Sequence, residues 1–147
     1  MPEDVENLWP EHFTTIGADP PPVALLRKQA DLLARRTEKV VKGVVIDGAH
    51  NDTAYYSLYL TAPVLGEGQF KILSISFPWV RRPSNAFPLT AYDACAEKES
   101  ELASMDEFRG WLKNVLSSEP VVTIVGELIR RSNNSWGTEG ALSSRNA

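Results

Sequence analysis

Cysteine is almost missing from this chain. The single Cys95 excludes an intramolecular disulfide framework and any cysteine-rich zinc site. Histidine is nearly as scarce. With His12 and His50 alone, a centre of several histidine ligands cannot be built within one chain. Long apolar runs are absent as well, and none approaches the ~18 residues needed to span a bilayer. Positive charge is not in excess. Fifteen Lys and Arg face nineteen Asp and Glu, a formal charge of −4, so binding to nucleic acid through overall charge is not expected. Neither Gly66-Glu67-Gly68 nor the stretch from Gly137 to Gly140 ends in the Gly-Lys-Ser/Thr that cradles a phosphate. The first residues, Met1-Pro2-Glu3-Asp4, are acidic and do not have the basic-then-apolar layout of a secretory leader, so the expected location is cytoplasmic. There is no internal repeat.

What is present is ordinary for a folded protein: 147 residues, 43% of them apolar. That length accommodates one domain with a real core and needs no metal or disulfide to hold it. Three segments are expected. Residues 1–21 read as an N-terminal arm, in which Val5, Leu8 and Trp9 have helical spacing and Pro20-Pro21-Pro22 forms a stiff spacer. Residues 22–131 read as a single α+β domain. Residues 132–147, rich in Ser, Asn and Gly, read as a flexible C-terminal tail with Trp136 as an anchor.

Within the domain the periodicity changes twice. Val23, Leu26, Ala30 and Leu33 mark one face of a helix over 22–38, widened by Leu25 and Leu32. Pro22 suits its first turn, and Arg35 and Arg36 suit the partly negative carbonyl end. Val40 to Ile46 is β-branched and reads as a strand, with Asp47 to Asp52 as a hairpin loop. In the next strand, 54–61, Tyr56, Leu58 and Leu60 point one way and Tyr55, Ser57, Tyr59 and Thr61 the other. A third strand, 69–77, alternates Lys71, Leu73, Ile75 and Phe77 with Phe70, Ile72, Ser74 and Ser76. Leu89 to Tyr92 is a short fourth strand at most, and 95–103 reads as loop or irregular helix. Ser104 and Glu107 form a capping box ahead of Phe108, Trp111, Leu112, Val115 and Leu116. A last helix follows Pro120, on the helical spacing of Val121, Ile124, Val125 and Leu128, although Val121 to Val125 also has strand propensity.

The expected architecture is therefore an N-terminal helix, an antiparallel meander of three or four strands, and two C-terminal helices packed on one sheet face. The other face would carry Tyr55 and Tyr59, with Phe70 or Ile72, and is too apolar for ordinary solvated surface. The arm, a second copy or a partner protein would have to cover it. The proline-rich loop from Trp79 to Pro88 adds Trp79 and Phe87 as apolar anchors and Arg81 and Arg82 as cations. The function read from this is a non-catalytic protein–protein interaction module, an adaptor or accessory subunit. Its partner-binding residues are Tyr55, Tyr59, Trp79, Arg81, Arg82 and Phe87, and it needs no cofactor and no metal.

Two alternatives stand beside it. One is a homodimer built on the same sheet face. The other is a small hydrolase or transferase that uses His50 with Asp47 or Asp52, since a carboxylate can orient an imidazole for general-base work. Asp47, His50 and Asp52 lie close in sequence, but Asp, Asn, Gly and His are also what a hairpin loop contains for conformational reasons. Bases gather at Arg27, Lys28, Arg35, Arg36, Lys39 and Lys42, and acids at Asp93, Glu97, Glu99, Glu101, Asp106 and Glu107. A dipolar molecule is expected, whose basic side can meet an acidic protein or a phosphate backbone.

The order helix, meander, proline-containing segment, helices is similar to the ubiquitin-conjugating-enzyme fold and its non-catalytic RWD relatives. Phe77-Pro78 through Pro88 sits where those families carry their proline segment. The His-Pro-Asn signature of active conjugating enzymes is absent. Asp93, Glu97 and Glu99 around Cys95 disfavour a thiolate, so the resemblance implies a non-catalytic relative. Locally, Pro22 to Leu33 followed by Ala62-Pro63-Val64-Leu65-Gly66 resembles a pattern in small bacterial proteins, which implies no activity.

Overall fold

The computed structural model describes residues 6–11, 19–66, 68–78 and 86–146, with side chains described as far as residue 134. Helix α1 (Pro21–Arg36) is followed by strands β1 (Lys42–His50), β2 (Thr53–Thr61), β3 (Phe70–Pro78), β4 (Leu89–Asp93) and β5 (Lys98–Leu102). Helices α2 (Met105–Leu116) and α3 (Glu119–Asn146) complete the chain, and a 3-10 turn at Pro63–Leu65 joins β2 to β3. The class is α+β. The five strands form one open antiparallel sheet in the order β1-β2-β3-β4-β5. Among the described residues no helix is long and apolar enough to cross a membrane.

Several local rules hold. Proline occupies the start of α1, and Arg35 and Arg36 its last turn. Past Arg36 the chain turns through left-handed backbone at Glu38 and Lys39 (φ 54° and 68°). The Thr37 hydroxyl donates to the Leu33 carbonyl at 3.0 Å and accepts from the Val41 N–H at 3.1 Å, which satisfies groups the helix end leaves open. Ser104 caps α2 by accepting from the Glu107 N–H at 3.2 Å, while Glu107 reaches back to the Ala103 N–H at 3.0 Å.

The core lies between the sheet and the helices. Phe108, Leu26, Ile72, Leu73, Ile75 and Leu89 are fully buried there. Each such side chain contributes about 1.5–3 kcal/mol relative to exposure, before entropy is counted. Phe108 stacks on Trp111 and Tyr56 on Phe77, with ring centroids 6.2 and 5.7 Å apart.

Four expectations need correction. First, β1 runs on to His50, so the loop expected over 47–52 shrinks to Asn51-Asp52, with Asn51 at φ 55°. Nine partners on β2 outweigh the turn propensity of Asp47, Gly48 and Ala49. Second, 98–102 is a fifth strand rather than loop or helix, paired with β4 from Leu89↔Leu102 to Asp93↔Lys98. Third, the register slips between Leu58 and Tyr59, so that Tyr59 faces Lys71 and Ile72 becomes the extra residue of a bulge. Ile72 and Leu73 are consecutive yet both fully buried, so Ile72 is core and not outer face. Fourth, α3 continues through Arg130 and Arg131 to Asn146, across residues read as a tail. Glu127 pairs with Arg130 and Arg131 at i,i+3 and i,i+4, so these arginines support the helix from within.

Candidate functional site

Directly opposed residues in an antiparallel pair share a face, so the register sorts the sheet. On the helix side lie Ala54, Tyr56 and Leu58 with Phe77, Ile75 and Leu73 across from them. The opposite face carries three main rows. Val44, Tyr59 and Lys71 form one. Ile46, Ser57, Ser74, Tyr92 and Glu99 form the next. Gly48, Tyr55, Ser76, Thr90 and Glu101 form the third. Helices α1 and α2 and the start of α3 pack on the other side. The open face is thus a field of serine and threonine hydroxyls set with three tyrosines. Tyr55 is 41% exposed and Ile46 44%, and Lys71 Nζ stands 6.0 Å over the Tyr92 ring. Acids line the β5 edge and apolar side chains the β1 side.

The expected partner-binding residues separate in space. Tyr55 and Tyr59 share the open face. Phe87 is half-buried against the core cluster, so its ring is engaged by the domain itself. Trp79, Arg81 and Arg82 lie outside the described residues, as do Val5, His12, Phe13 and the Trp136 side chain. Of the arm, Leu8 is 85% and Trp9 74% exposed, so these two are not the apolar cover of the sheet.

The histidine alternative fares differently. His50 pairs with Thr53 and Asp47 with Tyr56, so strand alternation sends Asp47 and His50 to opposite faces. Asp52 remains beside His50 in the turn. Among the described residues no group of three His, Cys, Asp or Glu could hold a metal ion. Asp47 acts on Tyr56 instead. Burial chiefly, then Asp47 and Asp19, push the Tyr56 hydroxyl above its usual range, while Arg27 opposes them. Arg27 Nε donates to Asp19 Oδ2 at 2.7 Å. Cys95 sits in the β4–β5 turn, where its N–H donates to Asp93 Oδ1 at 3.0 Å. Burial first, and Asp93 second, raise the thiol, which suits a structural cysteine and not a nucleophile.

On the helix side there is a feature that no local pattern announces. Gly43 of β1 lies against α1 so closely that a Cβ there would stand 2.9 Å from the Ala30 Cβ. This contact holds α1 over the β1 side of the sheet. A groove of about 1110 Å³ opens between α1, α2 and the start of α3. Its floor is Ala30, Leu58, Leu60, Ile72 and Leu112. Its lips are Leu25, Leu32, Leu33, Leu116 and Val125, and Leu32 is 39% exposed. Arg35 and Arg36 from α1, with Arg109 and Lys113 from α2, stand around it, and among the described residues no carboxylate lines it. The basic run on α1 was legible in the sequence. Its convergence with Arg109 and Lys113, more than seventy residues on, was not.

Comparison with protein-family models, with curated proteins and with solved structures finds no match, so the likeness to the conjugating-enzyme fold stays one of element order and the geometry alone carries the functional reading.

Proposed function

We propose that the protein is a non-catalytic protein-binding module, an adaptor or accessory subunit, and that it recognises its partner through the open sheet face. The observation that carries this is the tyrosine–hydroxyl field. Tyr55, Tyr59 and Tyr92 stand on the one face that no helix among the described residues covers, with Ser57, Ser74, Ser76 and Thr90 between them and exposed Ile46 beside them. Tyrosine offers a large rigid contact surface at little entropic cost, and serine offers adaptable hydrogen bonds, a pairing that recurs in protein-recognition surfaces. Central aromatics of this kind carry about 2 kcal/mol or more each when a partner buries them. A cytoplasmic location belongs to the same proposal and is supported by the lone, half-buried cysteine.

The test is a photo-crosslinking residue at position 46, installed in the full chain and irradiated in the native host. A discrete adduct with another protein that disappears in the Tyr55→Ala, Tyr59→Ala double variant, while the melting temperature barely moves, supports the proposal. An adduct indifferent to both tyrosines, or none, refutes it. A loss of stability matching the loss of the adduct would make the tyrosines structural and refute it too. An adduct with a second copy of the chain would replace the adaptor with the homodimer.

A further inference from the structure

We infer that the groove between α1 and α2 is a second docking site, on the opposite side of the sheet, and that its occupant is an acidic amphipathic helix of a partner protein.

The size of the groove argues for a helix. Small-molecule sites enclose about 300–1,000 Å³ and wrap most of their ligand. This groove exceeds that range at about 1110 Å³ and is half-open to the surface. Its α1 wall extends from Leu25 to Arg36, a run of roughly 16 Å at the helical rise, or about three turns. A helix laid there sets apolar side chains at i, i+3, i+4 and i+7 against the wall. The lips supply the matching surface, because Leu25, Leu32 and Leu33 on one side face Leu116 and Val125 on the other.

The charge argues for acid. The chain as a whole is acidic, nineteen carboxylates to fifteen bases, yet among the described residues the groove gathers four cations and no carboxylate. Helix ends explain part of this, since Arg35, Arg36 and Lys113 lie in last turns where positive charge is favoured. Arg109 lies in the first half of α2, where the carbonyl end does not call for a cation. The ion pairs formed among the described residues engage Arg27, Arg130 and Arg131 and none of these four. Four unpaired cations around an apolar floor steer an acidic helix into the groove and reject a basic one.

The test uses a designed peptide of about 18 residues, long enough to hold helical structure, with leucines on one face and glutamates over the rest. A counterpart with lysines in place of the glutamates and a leucine-scrambled version serve as controls. Backbone NMR on the full chain should show the glutamate peptide shifting residues of the groove, at an affinity about tenfold or more above either control, weakening as salt rises. The Arg35→Glu, Arg109→Glu double variant should invert the preference between the glutamate and lysine peptides. All these side chains are exposed, so the fold should survive, and circular dichroism checks it. Equal binding of the two charged peptides, or shifts outside the groove, overturns the inference. So does cosedimentation with phosphatidylglycerol vesicles in place of peptide binding, or self-association that the double variant abolishes. Because the open-face crosslink and this titration read opposite sides of the sheet, either can fail alone.

Discussion

Gly43 and Gly48 lie five residues apart on β1, and the same substitution should have opposite effects at the two sites. An alanine Cβ at Gly43 would stand 2.9 Å from the Ala30 Cβ, 3.0 Å from the Ala30 Cα and 3.3 Å from Leu58 Cδ1. Carbon atoms rest at about 3.5–4.0 Å, so α1 would have to lift by roughly 0.5–1 Å. That lift loosens Val23, Leu26 and Ala30, the buried face of the helix. Overpacking of this kind costs about 1–3 kcal/mol, while removing glycine from the unfolded chain returns about 0.4–1 kcal/mol. The net loss is roughly 1–2 kcal/mol, a fall in melting temperature of about 2–8 °C for a domain of this size. At Gly48, nothing lies within 4 Å of the added Cβ. Only the unfolded-state effect remains there, and Gly48→Ala should stabilise by about 0.4–1 kcal/mol. Thermal melts by circular dichroism on the two variants give the answer directly. A further check is Ala30→Gly in the Gly43→Ala background. That change costs about 1 kcal/mol of helix propensity on its own, yet it removes the nearest clashing atom, so the double variant should be less damaged than the sum of the two singles. Gly43→Ala melting at or above the parent temperature would refute the close approach of α1 to β1.

Two further predictions concern buried and titrating groups. Ser132 is 2% exposed and its hydroxyl has no hydrogen-bond partner among the described residues, so Ser132→Ala should raise the denaturant midpoint, by about 1 kcal/mol in stability; a lower midpoint would mean that the hydroxyl is satisfied in solution. Cys95 and Tyr56 both have raised pKa values in the folded chain, with burial as the leading cause. The neutral forms are therefore favoured by folding, and this stability is whole below the unfolded pKa and lost as pH rises through the folded one. Melting temperature should fall from about pH 8.5 upward for the thiol and from about pH 10 for the phenol, with the first decline reduced in Cys95→Ser and the second in Tyr56→Phe. Superimposable profiles for parent and variants would refute the assigned shifts.

The parts of this fold that local chemistry dictates were readable in advance. Proline at its start and paired arginines at its end bracketed α1, Ser104 and Glu107 announced α2, and the spacing of Val121, Ile124, Val125 and Leu128 outweighed strand propensity in α3. The alternation of β2 placed Tyr55 and Tyr59 on the open face correctly, because a strand in regular register exposes every second residue. β5 is not legible in the sequence because it is an edge strand, Lys98-Glu99-Ser100-Glu101-Leu102, with only Leu102 buried, and charge on an edge erases the apolar alternation that marks a strand.

Local chemistry fixes the α+β class, the order of the three helices and the first strands, which residues of β2 look away from the helices, and a basic stretch on α1. The tertiary structure alone decided three things: that Ile72 turns inward at a bulge, that Asp47 and His50 part to opposite faces, and that Arg109 and Lys113 meet Arg35 and Arg36 around an apolar groove. Each depends on pairing register or on the distance between elements far apart in the chain. Those are set by which surfaces pack together, at Gly43 and Ala30 above all, and no window of neighbouring residues contains that information.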